Sequence, residues 1–131
     1  MIKIDWNAMP NLSELTLVVP TYNRQSDALK QMHFWSDSPV ILHVLDGTNV
    51  PIQREELEDL GDNVHYYHMP CSIEERFGRA GKLVDTPYVA FICDDEFFIP
   101  SVLEKSIVYL KNNKDFVACI GMCIGFYSII Q

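Results

Sequence analysis

Short apolar runs separated by helix-like stretches recur along this chain, and that alternation constrains its fold more than any other feature. Leu15 to Val19 reads as a buried strand ended by Pro20. Ser26 to Trp35 reads as a helix with Ala28, Leu29, Met32 and Trp35 on one face. Ser38-Pro39 turns the chain into a second strand, Val40 to Leu45. Ile52 to Leu60 predicts a short acidic helix stopped by Gly61, and Val64 to Met69 a third strand closed by Pro70. Ser72-Ile73-Glu74-Glu75 forms a capping box, which opens a helix to about Val84. Tyr88 to Cys93 is a continuous apolar strand, and Pro100 suits the first turn of a helix to about Asn112. A fifth strand is expected from Phe116. Runs without polar alternation mark strands covered on both faces, so the expected fold is α/β, a mainly parallel sheet flanked by helices.

The chain of 131 residues is the size of one domain, taken as residues 1–131. Its formal charge of −8 disfavours a nucleic-acid surface, which needs clustered Lys and Arg. The uncharged stretch from Phe116 to Ile130 is shorter than the roughly 18 residues of a spanning helix, so no transmembrane segment is expected. Cys93, Cys119 and Cys123 lie in apolar runs, as buried free thiols do, and no CxxC pair occurs. With no signal-peptide pattern either, the expectation is a reducing, cytoplasmic setting.

Ligands of parallel sheets bind beyond the carboxyl ends of the strands, which directs attention to three loops. Asp94, Asp95 and Glu96 follow the strand from Tyr88, and adjacent carboxylates there can hold a metal–diphosphate unit or form a solvated acidic loop. Asp46, before Gly47 and Thr48, can bind a ribose or base, or simply turn the chain. In Pro20-Thr21-Tyr22-Asn23-Arg24, Tyr22 can stack on a base and Arg24 can meet a phosphate. Arg76, Arg79 and Lys82 share one helix. Arg79 and Lys82 lie on one face, suited equally to a diphosphate and to solvent. His65 and His68 fall on opposite faces of a strand, which argues against a shared metal. GxxxxGK[ST], GxGxxG and GxSxG are all missing.

Together these strand ends resemble the family 2 glycosyltransferases, which have the GT-A fold. Leu17-Val18-Val19-Pro20-Thr21-Tyr22-Asn23-Arg24 is similar to that family's opening strand and nucleotide loop. Leu45-Asp46-Gly47-Thr48 is similar to its second-strand motif, and Arg79-Ala80-Gly81-Lys82 to a basic, small-residue helix. Thr86 through Glu96 looks like the strand that leads into a DxD-type metal motif, here written Cys93-Asp94-Asp95-Glu96. The likeness runs from about Leu15 to Cys123 and covers the nucleotide-binding half of such an enzyme. It implies a nucleoside diphosphate sugar, with uridine the expected nucleoside, held by Pro20, Thr21, Tyr22, Asn23, Arg24, Asp46, Arg79, Lys82 and Asp94. It further implies Mn2+ or Mg2+ on Asp94, Asp95 and Glu96, and transfer of the sugar to an acceptor hydroxyl. The acceptor-binding half, with the catalytic base, is expected beyond Gln131.

Two other readings compete with a transferase. One is a receiver-type signalling domain, although its acidic pair belongs after the first strand and its lysine after the fifth. The other is a degenerate module that binds a nucleotide or a partner without turnover. Phe126, Ile129 and Ile130 also suggest that the last segment packs on the sheet or on another copy, as a homo-oligomer would.

Overall fold

A computed structural model of the chain describes residues 3–125. Four parallel strands form one sheet: β1 (Leu15–Thr21), β2 (Ile41–Asp46), β3 (Val64–His68) and β4 (Tyr88–Phe91), in the spatial order β3-β2-β1-β4. Helices α1 (Gln25–Trp35), α2 (Ile73–Leu83) and α3 (Pro100–Asn112) join or follow them. The fold is therefore the parallel α/β arrangement expected from the apolar runs, with Rossmann-like topology. A receiver-type sheet runs 2-1-3-4-5 and places its third strand beside its first. Here β2 stands between β3 and β1, which excludes that alternative.

Both faces of the central strands are buried, for the reason their composition suggests. On one face Leu17, Val19, Leu42 and Val44 pack with Met32 and Trp35 of α1, Ile107 of α3 and Leu12 of the 3-10 turn Pro10–Glu14. On the other, Val18 and Leu45 meet Ala80 of α2. The capping box of α2 forms as read: Ser72 Oγ accepts from the Glu75 N–H, and the Glu75 carboxylate accepts from the Ser72 N–H. Pro100 occupies the first turn of α3, where its missing N–H costs nothing.

Three expectations need correction. The acidic helix of 52–60 shrinks to a single 3-10 turn, Arg54–Glu56. Glu55, Glu56, Glu58 and Asp59 repel one another at helical spacing, and so short a segment cannot offset the cost of helix nucleation. The fifth strand does not form among the described residues: 116–125 carry no regular structure, and Val117, Ile120 and Met122 are almost fully exposed. Phe126, Ile129 and Ile130 lie outside the described residues. Finally, Cys93, Cys119 and Cys123 are exposed rather than buried, because Cys93 stands past the last paired residue of β4 and the other two belong to that extended segment. No helix among the described residues is long and apolar enough to cross a membrane.

The chain builds outward from β1 through β2 to β3, then returns across the sheet to place β4 on the other side of β1. The loops after β1 and β4 therefore stand side by side at the carboxyl edge, and both lead to helices on the same face, α1 and α3. A crevice opens between them at the carboxyl edge, the position where open parallel sheets bind ligands.

Candidate functional site

That crevice is a cleft of about 270 Å3, lined by Pro20, Thr21, Tyr22 and Arg24 after β1, Cys93, Asp94 and Asp95 after β4, and Ile73 and Arg76 of α2. Asp94 is buried at its floor, and its Oδ2 accepts a 2.8 Å hydrogen bond from Thr21 Oγ1. Its Oδ1 lies 3.3 Å from Arg24 Nη1, while Asp95 Oδ2 lies 2.9 Å from Arg24 Nη2. Two carboxylates thus converge on one cationic position. The guanidinium holds Asp95 below the usual carboxylate range, and the pair in turn raises Arg24. Tyr22 stands over the opening, exposed and free to offer a ring face to a ligand.

The acidic loop is held from beneath by a residue that the sequence reading passed over. Gln31 is fully buried in α1; its Nε2 donates to the carbonyls of Asp94 (3.3 Å) and Glu96, and its Oε1 accepts from Trp35 Nε1. The signal was present: a lone amide inside the apolar stripe of Ala28, Met32 and Trp35 has to satisfy its hydrogen bonds internally.

Asp46, at the end of β2, is a different kind of carboxylate. It is completely buried, and its oxygens accept from Gln25 Nε2 (2.7 Å), the Tyr66 hydroxyl (2.6 Å) and the Thr48 N–H (2.9 Å). Burial pushes its pKa up, but the hydrogen bonds from Thr48, Tyr66 and Gln25 outweigh that and hold the carboxyl below the ordinary range. Tyr66, desolvated and bonded to Asp46, is driven far upward and stays a phenol. Asn23 turns through the left-handed region (φ 54°), which asparagine tolerates, and its N–H donates to Thr48 Oγ1 at 2.8 Å. The β1 and β2 loops are thereby tied together.

The basic helix divides in an unexpected way. Arg79 and Lys82 are exposed, whereas Arg76 is buried in the cleft wall. Arg76 Nη1 donates to the main-chain carbonyls of Thr21 (2.6 Å) and Leu45 (3.0 Å), joining the ends of β1 and β2. Its Nε has no partner, and no ion pair reaches it among the described residues. Gly47 is what makes room: a Cβ there would lie 2.7 Å from the guanidinium carbon. Arg76 shares its helical stripe with buried Ala80, an i, i+4 relation that marks it as inward-facing.

The acidic loop offers hard oxygen donors of the type that magnesium and manganese prefer. Asp94 and Asp95 fit such an ion because they already converge on a positive charge. No group of three His, Cys, Asp or Glu side chains is gathered for a metal among the described residues, so Glu96 does not complete a cage. Cys93 is no candidate nucleophile: desolvation and the carboxylates of Glu96, Asp95 and Asp94 all raise its thiol. The histidines lie apart from the cleft. The His43 and His65 rings sit 5.1 Å apart on neighbouring strands, and His68 Nε2 meets the Thr48 carbonyl at 2.7 Å.

No protein-family model matches the sequence. Comparison with curated proteins gives no match either.

Proposed function

We propose that this domain binds a nucleoside diphosphate sugar together with a divalent cation, as the donor-binding part of a cytoplasmic glycosyltransferase of the family 2 type. The observation that carries the reading is the cleft at the carboxyl edge of β1 and β4, where Asp94 and Asp95 meet Arg24 beside the buried Arg76. Carboxylates and guanidinium groups together suit a ligand that brings phosphates and a cation at once. In this reading Tyr22 stacks on the base and Arg24 and Arg76 face the diphosphate. Arg79 and Lys82 lie exposed on the same helix as a further basic surface. Asp94 and Asp95 hold the cation, which neutralises charge on the departing diphosphate as an acceptor hydroxyl takes the sugar. Asp46 fixes the base-binding loop from within, through Gln25, Tyr66 and Thr48.

Calorimetry with a uridine diphosphate sugar, with and without manganese, tests the proposal. Binding that strengthens with manganese, and a roughly tenfold loss in Tyr22→Ala from lost stacking, are expected. No heat of binding under either condition would leave the cleft without this function. Binding without sugar transfer or hydrolysis would favour a module that holds the nucleotide and does not turn it over.

A further inference from the structure

Arg24 stands where the proposed cation would stand. One guanidinium nitrogen faces Asp94 Oδ1 at 3.3 Å and the other faces Asp95 Oδ2 at 2.9 Å, while Asp27 Oδ2 touches the second at 3.4 Å. A divalent ion needs those same carboxylate oxygens, and two cations that share them repel at short range. A second, separate feature of the cleft points to an anion. Arg76 is 5% exposed, lines the same space and has an Nε with no partner. A buried guanidinium without a carboxylate is a receptor for negative charge.

We propose that Arg24 is a built-in competitor for the divalent cation, one that gives up Asp94 and Asp95 when a metal and a diphosphate arrive together and then pairs with the phosphates. The inference rests on the nucleotide reading above. Arg24 is able to make this exchange because its side chain is 47% exposed and its shorter pair, with the exposed Asp95, is of the weak, surface kind. Metal alone must displace the guanidinium and leave it without a partner. Metal with a diphosphate displaces it and supplies the new partner in the same event. Each ligand therefore strengthens the other, and by linkage the coupling is reciprocal. Affinity for metal alone is therefore expected to be weak, because the position is occupied and the protein offers only two carboxylates there.

Manganese titration followed by electron paramagnetic resonance tests this, with and without uridine diphosphate. Arg24→Gln is expected to bind manganese alone roughly three- to tenfold more tightly than the parent, and to show a smaller gain when the nucleotide is added. Arg24→Lys keeps the charge but loses the fork, and should fall between the two. Arg54→Gln, the same change of charge on the exposed turn after β2, should behave like the parent and so excludes a general effect of net charge. Equal manganese affinity in the parent and Arg24→Gln, with the nucleotide effect intact in both, would overturn the proposal and leave the nucleotide reading standing. Manganese and nucleotide that ignore each other in every protein would overturn both.

Discussion

Asp46 and the Asp94–Asp95 pair both stand at carboxyl ends of strands in one sheet, yet their surroundings are opposite. Asp46 spends its oxygens on Gln25, Tyr66 and Thr48, inside the protein. Asp94 and Asp95 spend theirs on Thr21 and on one half-exposed guanidinium at the rim of a cleft. The first arrangement is finished and rigid. The second is held by partners that a ligand can replace. Strand-end acidity alone therefore does not mark a ligand group; what matters is whether the partners of the carboxylate are fixed by the core.

The sharpest way to break this comparison is to remove each carboxylate in turn. Asp46→Ala removes a buried acceptor shared by the half-buried Tyr66 phenol, the Gln25 amide and a main-chain N–H, and should cost about 3 kcal/mol in urea unfolding. Gly47→Ala comes next, at about 1–3 kcal/mol, because the new methyl strikes a guanidinium pinned by two carbonyls. If Asp46→Ala unfolds at the parent midpoint, the supposed rigid site is as replaceable as the open one.

Acid titration separates Asp46 from the buried His43 by pH. Asp46 is depressed in the folded state, so its contribution is complete above the unfolded carboxylate value and is lost as pH falls below about 4. His43 is lowered as well, by burial and by the adjacent His65, but for an imidazole a lowered value means that folding disfavours the charged form. The unfolded chain binds its proton first, so stability declines as pH falls through about 6.5. A loss of thermal stability between pH 7 and 5 therefore belongs to His43, and His43→Leu should flatten it. The smallest effect on stability is expected for Asp95→Ala, which should leave the unfolding midpoint unchanged while abolishing the manganese dependence of nucleotide binding. A large fall in that midpoint would make the open site structural after all.

The parallel sheet, the capping box at Ser72 and Glu75 and the helix at Pro100 were legible because each is written in local chemistry: period, hydrogen-bonding side chains, a missing N–H. The acidic loop was legible for the same reason, since it follows an apolar run directly. Which arginine of α2 faces the cleft was not, because three basic residues on one helix fix its content but not its rotation about its axis. Gly47 could have decided it, since a small residue at a strand end makes space for a large neighbour. The partners of Asp46 lay further out of reach: Gln25 and Tyr66 come to it from α1 and β3, and only the sheet order brings them together. The expected strand from Phe116 failed for a complementary reason. An apolar run becomes a strand only when an edge pairs with it, and β4 pairs only with β1 among the described residues.

The close approach of Arg76 to Gly47 also bears on the order in which this protein can change over generations. Any side chain added at position 47 meets a guanidinium only 2.7 Å away, so that step is unfavourable while Arg76 is long. A shorter residue at position 76 would clear the space, at the cost of the two hydrogen bonds given to the Thr21 and Leu45 carbonyls, whose places water must take. The same double substitution is thus reached by one route through a crowded intermediate and by the other through a hydrated one. Descendants that enlarge residue 47 should be those in which residue 76 had already become smaller.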